Sequence, residues 1–153
     1  MKIVLAIDGS EYSKVAVSQL GAMPLPIETE VCIINVYEHP TIIGPEPISM
    51  GVFPSAYYEE VISNTKKIAE EIVSSASKLL RNLNTKISIT TTIVSGLPKR
   101  EILEKAASFD ADLIVVGSQG QGAFSRFLLG SVSQYLATHA NCSVMIVKEK
   151  EAK

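Results

Sequence analysis

The sequence is poor in the residues that mark several protein classes. Its 153 residues include no tryptophan, two cysteines and two histidines, and only 6% are aromatic. His39 and His139 are isolated and no Cys-x-x-Cys pair occurs, so neither a zinc site nor a disulfide-rich scaffold is indicated. We expect Cys32 and Cys142 to be buried, reduced thiols, with one disulfide between them as the alternative.

An excess of positive charge is also missing. The formal net charge is −2, and the lysines and arginines are scattered, so no nucleic-acid surface is indicated. No apolar run approaches the length that spans a membrane. The segment from Met1 to Asp8 is too short for a signal peptide. We therefore expect a cytoplasmic protein without a membrane partner.

What is present is a regular alternation of strand and helix patterns. Hydrophobic residues make up 46% of the chain, enough for a sizeable core. The patterns predict strands at 3–7, 30–36, 86–94, 112–116 and 143–148, and helices after Ser10, over 56–83, from Pro98 and over 131–140. This order predicts a single α/β domain over 1–153, with an open five-stranded parallel sheet, helices on both faces and a Rossmann-like architecture.

Two segments depart from the alternation. Residues 39–55 contain four prolines and form a predicted loop insertion on the side where ligands bind such sheets. This insertion is either a lid or partner-binding segment, or a variable loop without a function of its own. Residues 149–153 form a charged tail.

The feature that points most directly to function is a glycine-rich stretch after the fourth strand. Gly117, Gly120 and Gly122 are followed by Gly130 and Ser131, at the predicted start of the last helix. Glycines admit a close approach to the backbone, and free amides at a helix N-terminus favour an anion, so the stretch indicates a phosphate site. The order is neither G-x-G-x-x-G nor a P-loop. A second loop, Asp8-Gly9-Ser10, faces the same crevice if strands one and four are neighbours.

This pattern resembles the nucleotide-binding branch of the universal stress protein family. That family's signature is G-x-x-G, nine residues, then glycine and serine or threonine, and Gly117, Gly120, Gly130 and Ser131 match it. Three further segments are also similar to the family: the opening strand that ends in Ala-Ile-Asp-Gly-Ser, the second strand that ends in Asn-Val-Tyr, and the closing Cys-Ser-Val-Met-Ile-Val. The resemblance implies an adenine nucleotide alpha hydrolase-like fold and a stress-response protein that binds ATP, with Mg²⁺ or Mn²⁺ accompanying the phosphates.

The resemblance also implies roles for individual residues. Asp8 contacts adenine, Ala6 and Ile7 line the same slot, and the backbone of Val36 recognises the adenine edge. The ribose lies near Gly117 and Ser118. The phosphates are wrapped by residues of the glycine loop and the following helix: Gly120, Gly122, Gly130, Ser131, Val132 and Ser133. No catalytic residue and no protein metal ligand are implied.

Structural interpretations of the same residues remain open. Ser131 followed by Gln134 also fits a capping box, which would make Ser131 a helix cap. Asp8 also fits a turn residue before a glycine, and Gly120 and Gly122 also fit a surface loop. Arg126, within the glycine loop, either reaches a phosphate or is a solvated surface residue.

Three functions follow from these observations. The first is an ATP-binding regulatory protein that acts as a nucleotide-dependent switch on an unknown protein partner. The second is a slow ATP-hydrolysing enzyme, and the third is a nucleotide-free dimeric scaffold. A dinucleotide-dependent oxidoreductase ranks below these, because Glu38 is its only candidate ribose-binding acid. The last strand is apolar on both faces, and the resemblance implies a homodimer that pairs through residues 143–148.

Overall fold

The computed structural model describes residues 1–38, 55–121 and 129–149, and of residues 55–58 it describes the backbone only. Strands and helices alternate through these ranges as predicted. Most of the 39–55 insertion, Gly122, Arg126, His39 and the end of the tail lie outside the described residues. The strands are β1 (Lys2–Ala6), β2 (Glu30–Tyr37), β3 (Ser88–Ser95), β4 (Leu113–Gly117) and β5 (Ser143–Val147). The helices are α1 (Glu11–Ala22), α2 (Ser55–Leu83), α3 (Pro98–Phe109) and α4 (Ser131–His139).

The five strands form one parallel sheet in the order β3-β2-β1-β4-β5. In the centre, Ile3 of β1 pairs with Val31 of β2 on one side and with Leu113 of β4 on the other. After β1 the chain adds β2 and β3 on one side of it, and then adds β4 and β5 on the other side. β1 and β4 are neighbours, which meets the condition stated for a shared crevice, and they form the topological switch point, where open parallel sheets bind ligands.

Two hydrophobic cores lie on opposite faces of the sheet because successive strand residues point to opposite sides. Ile3 and Leu5 of β1, and Ile7 just after the strand, share one core with the apolar stripes of α1 and α2. Val4 and Ala6 share the other core with α3 and α4. The prediction of helices on both faces is therefore confirmed.

Helix boundaries follow local signals that the sequence carries. Ser10 is the N-cap of α1, and its hydroxyl oxygen accepts a hydrogen bond from the Ser13 amide at 3.2 Å. Pro98 occupies the first turn of α3, where its missing N–H costs nothing. The strand bounds differ from the predicted ones by one or two residues at their ends, since pairing with the neighbouring strand decides the last residue.

The sheet has β3 and β5 at its two edges. β3 is half exposed along its length, as its alternating pattern predicts. In β5, the middle residues Val144, Met145 and Ile146 are half-buried, and only Val147 is fully buried. Cys32 and Cys142 are both free thiols, so the disulfide alternative is wrong in this structure. Cys142 is half-buried rather than buried as expected, because it precedes an edge strand.

Candidate functional site

A cleft of about 520 Å³ opens at the carboxyl ends of β1, β2 and β4. Its floor comes from the ends of these strands, one wall from α2 and the opposite wall from the start of α4. The described residues that line it and were predicted as site residues are Ala6, Ile7, Asp8, Val36, Gly117, Gly120, Gly130, Ser131, Val132 and Ser133. The two loops predicted to share a crevice therefore do share one.

The loop after β1 is held in a tight turn by Asp8. One carboxylate oxygen, Oδ1, accepts hydrogen bonds from the Ser10 amide at 3.0 Å and the Ser10 hydroxyl at 2.6 Å. Gly9 has a φ of +84°, a conformation that glycine adopts without strain. The turn-residue interpretation of Asp8 is thus confirmed for this oxygen, and it leaves the second oxygen for another partner.

That second oxygen joins the two loops. Asp8 Oδ2 accepts a hydrogen bond from the Gln121 amide at 2.9 Å, although the two residues are 113 positions apart. The Gln121 side-chain amide also donates to the Asp8 carbonyl oxygen. Asp8 therefore fixes the start of the glycine loop as well as its own turn, and its half-buried side chain lines the cleft.

A buried amide supports the β1 loop from below. Asn35 of β2 is 4% exposed, and its Nδ2 donates a hydrogen bond to the Ile7 carbonyl oxygen at 2.8 Å. The Ile7 amide in turn donates to the Ile34 carbonyl oxygen at 3.0 Å. These bonds extend the β1–β2 pairing one residue past the strand, so the backbone that carries Asp8 is rigidly positioned.

Each described glycine of the signature stands where a side chain would be crowded. A Cβ atom on Gly117 would lie 2.9 Å from the Tyr12 carbonyl carbon, and one on Gly120 would lie 2.8 Å from Asp8 Oδ2, so either would force a neighbour to shift. A Cβ on Gly130 would lie 3.2 Å from the Gln119 Cα, which is a tight contact. The packing of the loop itself therefore favours glycine at these positions, in addition to any ligand.

The two ends of the glycine loop are tied together at Ser118. Its carbonyl oxygen accepts the Gly130 amide at 2.7 Å and the Ser133 hydroxyl at 3.0 Å. Its own amide donates to the Val147 carbonyl oxygen of β5 at 2.7 Å. Ser118 is 4% exposed and does not line the cleft, so the structure gives it a loop-closing role rather than the ribose-facing position expected of it.

Helix α4 begins one residue away from where a capping box would place it. Gly130 is the N-cap and no side chain caps the helix, so Ser131 is the first helical residue and the capping-box interpretation is wrong. The Ser133 hydroxyl donates to the Gly130 carbonyl oxygen at 2.9 Å. The amides of Ser131, Val132 and Ser133 have no acceptor within the helix, and these three residues line the cleft.

The wall formed by α2 was not predicted. Thr65, Ile68, Ala69 and Ile72 line the cleft, and Ile68 is 57% exposed although it belongs to the apolar stripe. The helical periodicity identified this apolar stripe. It could not show which part of the stripe extends beyond the carboxyl ends of the strands and so lines the cleft. Exposed apolar surface of this kind suits a flat, apolar ligand group.

The charges at the cleft are few. Among the described lining residues, the ionisable side chains are those of Asp8, Tyr37 and Glu38, and none carries a positive charge. Within the same ranges, no group of three or more histidine, cysteine, aspartate or glutamate side chains is arranged to hold a metal ion. None of the described helices is long and apolar enough to cross a membrane.

A second cavity of about 490 Å³, here called the side groove, adjoins the cleft. It is lined by Glu38, Leu97, Pro98, Lys99, Arg100, Ser131, Val132 and Tyr135. Four of these, Glu38, Pro98, Ser131 and Val132, also line the cleft, so the two cavities adjoin at the first turn of α4.

His139 and the glutamate pairs of α2 do not line this site. His139 is the last residue of α4, where it stacks on Tyr135 with ring centroids 4.0 Å apart. The pairs Glu59–Glu60 and Glu70–Glu71 are exposed on α2.

Comparison with known proteins agrees with the geometry. The model of the universal stress protein family matches residues 1–148. A relative from Staphylococcus aureus strain USA300, named "Putative universal stress protein", is 29% identical over 150 residues, which cover 97% of this chain and 84% of that protein.

Solved structures share the fold. Hypothetical protein MJ0577 superimposes with a TM-score of 0.81 at 24% identity, over 99% of this chain and 97% of that one. A universal stress protein in complex with cAMP has a TM-score of 0.65 at 24% identity, over 97% and 96%. A family protein from Arabidopsis thaliana with AMP bound has a TM-score of 0.68 at 18% identity, over 98% and 92%.

Proposed function

Because this chain belongs to the universal stress protein family, we propose that it binds an adenine nucleotide, ATP, in the cleft and acts as a nucleotide-dependent switch. The observation that carries the proposal is the convergence of the Asp8 turn, the glycine loop and the uncapped N-terminus of α4 on one cleft. AMP and cAMP are bound by two family members of the same fold.

The proposed pose follows the family resemblance. Adenine lies between Asp8 and the Val36 backbone, beside Ala6 and Ile7, and the apolar wall of α2 supplies contact area for the base. The ribose lies near Gly117. The phosphates lie at Gly120, Gly130 and the first turn of α4. Gly122, which lies outside the described residues, is assigned to the nucleotide site by the family resemblance alone.

The physical case for phosphate at α4 rests on unpaired amides. A helix leaves its first N–H groups without internal acceptors, and its dipole favours negative charge there. Gly130 has no side chain to shield these groups, and the Ser131 side chain is exposed. The Ser133 hydroxyl is already bonded to two carbonyl oxygens, so Ser133 contributes through its amide.

Mg²⁺ or Mn²⁺ is proposed to arrive with the nucleotide. The described residues form no metal cage, and the Asp8 carboxylate already accepts three hydrogen bonds. Phosphate oxygens and water are ordinary ligands for such ions, so the chain itself needs to supply few of them. The protein's part is to position the phosphates.

The test is a change of charge at the N-terminus of α4. Ser131→Glu places a carboxylate at the first helical position, which favours the helix, but it repels a phosphate at the same amides. We expect ATP affinity, measured by isothermal titration calorimetry, to fall at least tenfold while the melting temperature stays the same or rises. Ser131→Gln, of equal size and no charge, is the matched control. Equal affinities for both variants would contradict the proposed site.

Hydrolysis and scaffolding are separate outcomes. Phosphate release from ATP by the purified protein, lost in Ser131→Glu, would favour the slow ATPase. Absence of binding by AMP and ATP to the folded protein would favour the nucleotide-free scaffold. Nucleotide extracted from the purified protein by heating and identified by mass spectrometry would show which ligand it carries.

We further propose that the protein acts in the cytoplasm as a homodimer that pairs through residues 143–148. The support is the position of β5 at the sheet edge, where half-buried Val144, Met145 and Ile146 border unpaired backbone groups. Sedimentation velocity at micromolar concentration tests the pairing. A single monomeric species over that range would contradict it.

A further inference from the structure

We propose that Lys99, in the side groove, binds the phosphate groups beyond the first of an adenosine polyphosphate and thereby makes this chain prefer ATP to AMP. This inference rests on nucleotide binding in the cleft, as proposed above, and it names the residue that distinguishes nucleotides by their number of phosphates. Three observations support it: the charge of the cleft, the residues that the two cavities share, and the different partners of the two cations in the groove.

The cleft has no positive side chain of its own among the described residues. Its carboxylates, Asp8 and Glu38, oppose the negative charge that a nucleotide brings. The first-turn amides of α4 offset one phosphate, because the effect of a helix terminus falls off within a turn. Each further phosphate adds negative charge that the described side chains of the cleft do not neutralise. When no divalent cation accompanies the nucleotide, a nearby cationic side chain is therefore needed for ATP to bind better than AMP.

The side groove contains cationic side chains close to the proposed position of the further phosphates. It meets the cleft at Ser131 and Val132, which begin α4 and stand beside the proposed phosphate position. A phosphate chain that starts at the α4 amides can therefore continue into the groove, where Lys99 and Arg100 form part of the wall.

The two cations differ in their availability. Arg100 is held by its own helix: its Nη2 lies 2.8 Å from Glu101 Oε1 and its Nε 3.4 Å from Glu104 Oε1. The hydrogen bond to Glu101, followed by the charges of Glu101 and Glu104, raises the pKa of Arg100. Its charge is thus already balanced by two carboxylates.

Lys99 makes no ion pair with the described residues. Its Nζ lies 5.7 Å from the centre of the Tyr135 ring, which faces the same groove. The side chain is half-buried, so its charge is less screened than that of an exposed lysine. Glu38 also lines the groove, and its carboxylate repels phosphate. A polyphosphate in the groove is therefore expected to lie next to Lys99 and away from Glu38.

The experiment compares ATP and AMP binding by calorimetry at low salt with EDTA present, for wild type and Lys99→Met. Methionine keeps the length and the apolar contact with Tyr135 but removes the charge. We expect a roughly three- to tenfold loss of ATP affinity, with AMP affinity changed by less than about twofold. Lys99→Arg should restore the preference, and added salt should reduce it in wild type more than in Lys99→Met.

Two controls separate this effect from general ones. Arg100→Met removes the cation that is already paired. Lys86→Met removes an exposed charge just before β3, at the amino ends of the strands and so at the other end of the sheet from the groove. Neither should change the ratio of ATP to AMP affinity by more than about twofold.

Equal losses for ATP and AMP in Lys99→Met, or no loss for either, would overturn the role of Lys99. If wild type binds neither nucleotide, the proposed function itself has failed.

Discussion

Gly120→Ala tests how closely the two loops of the site are packed. The new Cβ would lie 2.8 Å from Asp8 Oδ2, a distance that such atoms do not sustain, so the carboxylate must move by several tenths of an ångström. That oxygen accepts the Gln121 amide at 2.9 Å, while the other oxygen is held by Ser10. The substitution therefore strains a hydrogen-bonded group that is constrained on both sides.

The expected magnitude combines two opposing contributions. Overpacking of a well-packed contact costs about 1–3 kcal/mol. Replacing glycine by alanine reduces the freedom of the unfolded chain and returns about 0.4–1 kcal/mol. We expect Gly120→Ala to lower the free energy of unfolding by about 1 kcal/mol, which in a domain of this size lowers the melting temperature by about 2–4 °C.

A double-mutant cycle with Asp8→Ala identifies the cause. Among the described residues, only Asp8 has side-chain atoms within 4 Å of the new methyl group, so without the carboxylate we expect only the gain from the unfolded chain to remain. Gly120→Ala should then be neutral or slightly stabilising in urea unfolding followed by circular dichroism. An equal penalty in both backgrounds would refute the reasoning, because the strain would not come from Asp8.

Three further changes have expected outcomes. Ser133→Ala should cost about 0.5–1.5 kcal/mol in urea unfolding, because both of its carbonyl acceptors keep an amide donor. Asn35→Ala should cost about 1–3 kcal/mol, because it removes a buried donor from the Ile7 carbonyl; a cost equal to that of Ser133→Ala would contradict this. Burial, and then the charge of Asp112, raise the pKa of the Cys142 thiol. Because the folded thiol holds its proton more strongly, stability should decline as the pH rises above the ordinary value of 9.0, and less steeply in Cys142→Ser.

Much of the fold was predictable because it depends on local patterns. Apolar runs such as 113–116 and the stripe of α2 identified the strands and helices, and their alternation implied a parallel sheet. The neighbouring positions of β1 and β4 were expected only as a condition, since strand order depends on which crossovers pack best.

The site divides in the same way. The glycine spacing predicted a loop that ends at a helix N-terminus, and the structure brings its described members to one cleft. The capping box was wrong because Gly130, and not Ser131, has the extended backbone of an N-cap. Local sequence cannot distinguish two adjacent residues when both are compatible with that position.

By itself, the sequence determined the class of fold, the places of its elements and the glycine-rich loop before a helix, because these follow from short-range spacing. Only the tertiary structure decided that a side chain at Gly120 would be strained, since the obstructing atom belongs to Asp8 at the end of another strand. It likewise decided that α2 forms a wall of the cleft and that Lys99 stands beside the start of α4. Contacts between residues far apart in the chain depend on how crossovers stack on the sheet, and no local pattern records that stacking.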